Sequence, residues 1–572
     1  MRIIAVAFLL VGFVSSYSFA SFRAGEISTA LFDADTGLVA DSTGAPEEKG
    51  RDDEGISDFD PELGIPEPGI IKESLGTGHS ADTGNEAEGI SLSGVRNHVT
   101  NYQIVKYKEK YTDRIVKNKF YLFEGGAGFL LKKVVPDANI ERDIETAMSV
   151  FNIRGKNGTV IYKDRQTGEW KRIVPDEGLF DTVLFFQTDE TFSVVGPAVF
   201  YMQYGDGSLK DLGEWGKLSF KETESGYEVV LHISGSRASE LHLWMCSVQE
   251  PDHEWDDEAA KMWERLDFDG KNRVCFDGAY YSTPESYVPY EAGMYYRCPA
   301  VHPALVLLGA DSRIADIMSI GLLDEAVNHQ NKQGYWPTPA ESEWLSKEYG
   351  INSNFYDTRF NNDVTMRLFE AYKKFGYLHY LDAALRQTEW LMRHAASNHI
   401  KAEKGILVED YGVAAGDRKV RQTHSSLNHQ LQEIKVLLTA YECTADLRYY
   451  EFAQDLLDGI RSTETKWYNG NRGLAYGIKP DGTPDFNDYP YLTYNDLYDV
   501  QEILGRIGEG RDPVLDRLMA HKLRYMLENG ITGYKAYDEN EMPAILKAVL
   551  NDFNKGRSEE RRVGKECRSR WS

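Results

Sequence analysis

The 572-residue chain is poor in cysteine: it has five, one of them in the last few residues, with no CxxC and no Cys/His spacing of a metal site. That excludes a disulfide scaffold and a cysteine-ligated zinc centre, and no metal or cofactor is expected. Cys246, Cys275, Cys298 and Cys443 leave room for one or two disulfides or for buried free thiols. Long apolar runs are missing as well. The run from Ile3 to Val14 is too short to span a bilayer comfortably, and no later stretch approaches the roughly 18 apolar residues of a membrane span. Cations are the third shortage: 64 Lys and Arg face 90 Asp and Glu, a formal charge of −26. A field of that sign argues against nucleic acid and against long-range capture of highly sulfated glycans, leaving a local basic pocket as the place for an anionic ligand.

What is present divides the chain. Its length exceeds what one hydrophobic core usually organises, so at least two folded units are expected. Residues 1–20, with Arg2, the apolar run and a small-residue exit at Ser18-Phe19-Ala20, read as a secretory signal. The mature protein is therefore expected to be secreted, periplasmic or at the cell surface. Residues 21–96 are rich in Gly, Asp, Glu, Ser and Thr and read as a disordered acidic linker. Residues 97–250 carry short alternating or apolar runs such as KFYLFE, TVLFFQ and YEVVLHI, punctuated by Gly, Asn and Asp. That pattern suits an antiparallel β sandwich or barrel. From Arg557 the text RSEERRVGKECRSRWS resembles the translation of a sequencing adapter, and residues 557–572 are set aside as an artefact. Without their six Lys/Arg and three Glu the formal charge falls from −26 to −29.

Residues 251–556 are dominated by helical periodicity. Gly334, Gly405 and Gly473 open the segments GYWP, GILVEDY and GLAYGI at intervals of 71 and 68 residues. LFEAYKKFGYLHYLDAA from Leu368 aligns with LLTAYECTADLRYYEFA from Leu437 at a constant offset of 69. Recurrence of this kind predicts stacked helical hairpins, about four of them, in an α/α toroid whose ring is possibly incomplete. Gly376 falls where a helix C-terminal glycine belongs. In such a ring the loops before the inner helices converge, which brings Trp336, Asp410, Tyr411 and Tyr476 to one cleft.

Over residues 325–510 the sequence resembles the C-terminal domain of the D-glucuronyl C5-epimerase family. HQNKQGYWP resembles the stretch ending in GGWP, LVEDY resembles EEYP, SSLNHQLQEIKVLLTAY resembles the segment beginning VLNG, and DYPYLTYNDL matches a stretch of equal length. The resemblance places Asp410 at a functional glutamate, Tyr411 and Tyr489 at active-site tyrosines, Tyr476 on the tyrosine of YDLR and Lys479 on its arginine. Asn428-His429 stands for Asn-Gly, and FNND at Phe360–Asp363 departs from the family pattern. The resemblance implies inversion of C5 in D-glucuronyl residues of an anionic polysaccharide, heparosan-like by default, and a homodimer.

The chemistry asks for such residues independently. Removing the hydrogen at C5 of a uronate leaves a carbanion beside a carboxylate, so a base must sit near that hydrogen and cations near the carboxylate. Lys479, Arg359 and Lys435 are the candidate cations. Tyr476 and Tyr489 are the candidate acid and base on opposite ring faces, with Tyr411 third. A tyrosinate base needs neighbouring cations to bring its pKa down from about 10. Asp410 is either an acid/base or a helix cap, and His424 and His429 are read as structural. Asn428, Gln432 and Lys435 form a polar stripe that faces either the cleft or solvent. Trp336 with Tyr335 suits either a sugar-stacking platform or the plug of the core. A lyase shares the C5 proton abstraction, a glycoside hydrolase would use Asp410 with Asp357 or Asp363, and a non-catalytic glycan-binding protein needs neither.

Overall fold

The computed structural model describes residues 86–555 apart from 96–100, 137–143, 165, 176–177, 206, 236–238, 251–259, 261–262, 264–270, 289–290, 299–306, 311, 414–420, 471–472 and 539. The expected signal at 1–20, the linker as far as residue 85 and the set-aside tail lie outside the described residues.

Ten residues near the end of the expected linker, Glu86–Val95, form a strand (β1). It pairs antiparallel with β2 (Tyr102–Lys110), Ser91 opposite Lys106 and Val95 opposite Tyr102. Local composition hid this strand because its stabilising partner is a separate ladder. The sheet continues through β3 (Arg114–Phe123), β4 (Gly128–Pro136), Glu240–Val248, Ala198–Gln203 and the long strand Ser208–Thr223. It then runs past the expected boundary at residue 250, through Met294–Arg297, Gly278–Ser282 and Asn272–Cys275. Tyr280, Tyr281, Tyr295 and Tyr296 are buried residues of these strands. Cys246, Cys275, Cys298 and Cys443 are all unbridged.

This large antiparallel sheet works on both faces. One face encloses a core of its own with Ile144–Arg154 and Gly226–Gly235, built on Val116, Val134, Phe151, Val229 and Leu241. The other presents Tyr102, Tyr121, Phe129 and Trp244 to Ile314, Met318 and Leu322 of α1 (Arg313–Asn328), in a core continuous with the helical region. A polar clamp crosses the same contact. Asp324 accepts hydrogen bonds from the hydroxyls of Tyr102 at 2.6 Å and Tyr380 at 2.9 Å and lies 3.0 Å from His379 Nε2. Glu325 beside it takes the Tyr121 hydroxyl and the Lys119 ammonium, the latter at 2.7 Å.

The helical region follows: α2 (Glu343–Tyr349), α3 (Thr358–Phe375), α4 (Leu378–Ser397), α5 (Leu427–Thr444), α6 (Leu447–Ser462), α7 (Leu492–Arg506) and α8 (Pro513–Glu528). α3 packs on α4, α5 on α6 and α7 on α8, and the first members lie side by side in the order α1, α3, α5, α7. The offset of 69 is kept in space: α3 and α4 begin at Thr358 and Leu378, α5 and α6 at Leu427 and Leu447. Among the described residues three hairpins follow α1, which packs its apolar side on the sheet; the start of the expected hairpin at 304–331 lies outside the described residues.

The recurring glycines mark where each connection seats on the outer helix of its hairpin. Gly334 has φ +101°, and a Cβ there would lie 2.5 Å from the carbonyl oxygen of Arg386 in α4. Gly405 has φ +70°, and its Cβ would lie 2.0 Å from the carbonyl oxygen of Asp455 in α6, the position 69 residues further on. No side-chain shift relieves a backbone contact of that kind. Gly405→Ala should cost at least about 2 kcal/mol through combined steric and left-handed strain. Gly505→Ala, in α7 with open space around it, should instead gain up to about 0.5 kcal/mol. Chemical denaturation of the two variants checks the opposite signs.

Candidate functional site

The starts of α3, α5 and α7 lie at one end of the inner row, each with a buried aspartate side chain. Asp357 caps α3 through the Phe360 amide at 3.0 Å. Asp410 takes the Ser426 amide at 2.8 Å and the Ser426 hydroxyl at 2.6 Å, just ahead of α5. Asp488, ahead of α7, is paired with the buried Lys522 and accepts the Thr493 hydroxyl. Short ladders fix the connections. Tyr356–Asp357 pairs with Tyr411–Gly412, which sets Asp357 opposite Tyr411. Ser425–Ser426 pairs with Ala475–Ile478, and that strand pairs with Pro484–Asn487, delivering Tyr476 and Tyr489 to the same place.

Four of the residues singled out from sequence come together here. The rings of Tyr476 and Tyr489 meet edge to face with centroids 5.6 Å apart, both half-buried. His424 packs 5.7 Å from Tyr476 and 5.9 Å from Tyr411, and His429 packs 6.0 Å from Tyr411. Behind them Asp410, with no exposure, holds His424 Nε2 at 3.2 Å and His429 Nδ1 at 3.5 Å. The other ring nitrogen of His424 meets the Tyr349 hydroxyl at 2.8 Å, and His429 Nδ1 also meets the Thr358 hydroxyl at 2.8 Å. With Nδ1 engaged on both, the lone pair of neutral His429 is on Nε2.

The electrostatics differ from the expectation for tyrosinate. Burial pushes Tyr476 and Tyr411 well above the ordinary phenol range, each helped by a neighbouring tyrosine. Burial also raises Tyr489, against the pull of the Arg359 guanidinium. The phenols are therefore held in the protonated, donating form. Two groups unexploited in the sequence reading move towards neutrality instead. Burial raises the Asp357 carboxyl to about 7, with Asp410 and Asp363 adding to the effect. Burial lowers His429 to about 4 against the attraction of Asp410. Burial alone would raise Asp410, but His429, His424 and the Ser426 hydroxyl hold its carboxyl below the usual range. Nothing in the local sequence signals these shifts, since they follow from burial.

The expected cations are committed elsewhere. Arg359 bonds Asp496 at 2.6 Å, Asp363 at 3.1 Å and the carbonyl of Asn428 at 3.0 Å. Lys435 pairs with Asp496 at 2.7 Å and with Asp499 at 3.4 Å. Lys479 closes its own hairpin against Asp485 and is half in solvent. The polar stripe of α5 thus faces neither cleft nor solvent: it lies between α3 and α7, where Gln432 also donates to Asp363 at 2.8 Å. Asn428 is buried there, and its Oδ1, like Gln432 Oε1, meets no donor. Trp336 is a core residue, 4% exposed, its indole donating to the Ala326 carbonyl at 2.6 Å, while Tyr335 stacks on Trp390. Its apolar ring is worth more in the interior than at a wet mouth. The described residues contain no cluster of metal-ligating side chains.

The sequence matches no family model and no curated protein. Solved structures with a similar course of chain include a D-mannose isomerase, at 16% identity and TM-score 0.33, aligned over 51% of this chain and 78% of that one. A cellobiose 2-epimerase from Spirochaeta thermophila aligns at 12% identity and TM-score 0.29, over 40% of this chain and 58% of that one. An unsaturated glucuronyl hydrolase specific for heparin aligns at 14% identity and TM-score 0.26, over 40% and 60%. At such TM-scores the likenesses fix neither the fold nor the activity of this chain.

The two shifted groups give opposite pH signatures. Between 3.8 and about 7 the folded protein keeps a proton on Asp357 that the unfolded chain has released, so stability falls as pH rises through that window. Between 6.5 and about 4 the unfolded chain takes a proton that buried His429 refuses, so stability falls as pH drops. Asp357→Asn should therefore shift Tm more favourably at pH 8 than at pH 4.5, and His429→Gln more favourably at pH 4.5 than at pH 8. Thermal unfolding across that range checks both signs.

Proposed function

We propose that the protein is a proton-transfer enzyme acting on a carbohydrate, a uronate epimerase that inverts C5 of D-glucuronyl residues in an extracellular polysaccharide, on helical hairpins arranged as an incomplete α/α toroid. The observation that carries this reading is the half-buried Tyr476–Tyr489 pair, one phenol from the strand Ala475–Ile478 and one from the connection before α7, with ring centroids 5.6 Å apart beside the charge of Arg359. Protonated phenols are donors, so one of them returns the proton to the C5 carbanion from its face of the ring. Asp357, whose charge is felt by Tyr411, Tyr476 and Tyr489, takes the C5 hydrogen as a proton in its ionised form while the phenol on the opposite ring face gives up its own, and the proton on Asp357 then passes back to that phenolate to restore both groups. His424 and His429, locked by Asp410, hold Tyr411 and Tyr476 in place.

A second reading rests on Asp357 alone. A carboxyl raised to about 7 is also what a glycosidase needs as general acid.

The test is incubation with unsulfated uronans in deuterated water, read by NMR for exchange at C5. Tyr476→Phe and Tyr489→Phe should each slow exchange by at least about a hundredfold while keeping the wild-type unfolding midpoint. Exchange unchanged in both would remove the assignment. New reducing ends without exchange would move the protein to the hydrolases, and unsaturated ends to the lyases.

A further inference from the structure

The strongly acidic chain carries one dense group of lysines, on the face of the sheet that α1 covers at its other end. In register across adjacent strands, Lys108 of β2 stands opposite Lys117 of β3, Lys117 opposite Lys133 of β4, and Lys133 opposite His242. One row along, Lys106 stands opposite Lys119. Alternation puts all of them on the same face, and like charges directly opposite each other cost stability. Some are neutralised: Lys119 by Glu325 at 2.7 Å and Lys133 by Glu240 at 2.6 Å. Asp277 near this face is bound to Arg297 and the Tyr280 hydroxyl, and Glu88 of β1 stands opposite Lys108 in register. Lys106, Lys108 and Lys117 have no ion pair or hydrogen bond among the described residues. Lys106 and Lys108 are exposed and Lys117 is half-buried. Burial and the neighbouring charges of Lys133 and Lys108 make the protonated form of Lys117 harder to hold. In a chain with a formal charge of −26, where most other interior cations have a carboxylate, this is the place where positive charge is left over.

We infer that this lysine ladder is an anion-binding face that holds a carboxylate-bearing stretch of polysaccharide, apart from the tyrosine site. The inference rests on the proposed uronan substrate. Regularly spaced cations across β2, β3 and β4, about 4.8 Å from strand to strand, match a polymer whose carboxylates recur along its length. The long-range repulsion of the whole chain opposes nucleic acid, while a weakly charged polymer of sugar acids meets the ladder only on contact. The ladder keeps its mutual repulsion in the free protein because the ligand supplies the missing charge.

The test measures binding of a fluorescently labelled unsulfated glucuronan oligosaccharide to the full chain by polarisation, at two salt concentrations. The double variant Lys106→Glu/Lys108→Glu should bind at least tenfold more weakly and with a shallower salt dependence. Lys117→Gln should bind more weakly and unfold at the same or a higher temperature, since it removes repulsion. Lys221→Glu, a charge reversal on the strand Ser208–Thr223, should bind as wild type. Unchanged affinity in the double variant overturns the inference, as does duplex DNA binding as tightly with the same lysine dependence. Lysine-dependent glucuronan binding without C5 exchange would sink the epimerase reading and leave the ladder standing; exchange with lysine-independent binding would do the reverse.

Discussion

The site depends on a single carboxylate that water does not reach. Asp410 takes the amide and hydroxyl of Ser426 and the imidazoles of His424 and His429 on its side chain. Its backbone carbonyl accepts from the Thr358 amide and its amide donates to the His424 carbonyl, both at 3.0 Å. One residue thus ties the start of α3, the connection after α4 and the start of α5. A charge this deep is tolerated because the Ser426 amide and hydroxyl donate to it and two imidazoles lie within 3.5 Å. Loss of any partner would loosen the loop that carries Tyr411 and, through the Ser425–Ile478 pairing, the strand that carries Tyr476.

That constraint also explains the chemical character of the cleft. Burial deep enough to hold Asp410 leaves the neighbouring phenols protonated and draws Asp357 towards neutrality. Arg359 and Lys435 serve Asp496, Asp363 and Asp499 instead of a ligand. Their network cements α3, α5 and α7 side by side. The charge that touches the site therefore acts at a distance, through Arg359 on Tyr489, rather than as an open receptor for a carboxylate.

The helical half was legible because its periodicity repeats: the offset of 69 gave both hairpins, and Gly376 ends α3 with φ 73°. Its counterpart at the same offset is Ala445, with φ 57°. Loop order brought Asp410, Tyr411 and Tyr476 together, along with Trp336, which is a core residue, and Tyr489 was found through the family resemblance. The polar stripe on α5 was misread because periodicity says that a face is polar, not whether another helix lies against it. The strands after residue 250 were missed because they complete a sheet whose other strands lie far away in sequence. Asp357 and His429 gave no local signal at all, because their protonation is set by burial among residues distant in sequence.

The clamp at Asp324 and Glu325 joins the two halves into one folding unit. An isolated helical fragment would carry both acids without the phenols of Tyr102 and Tyr121 or the ammonium of Lys119. It would also present the apolar side of α1 to water. A chimera that exchanged the sheet for another module would have to bring its own proton donors to the same spot.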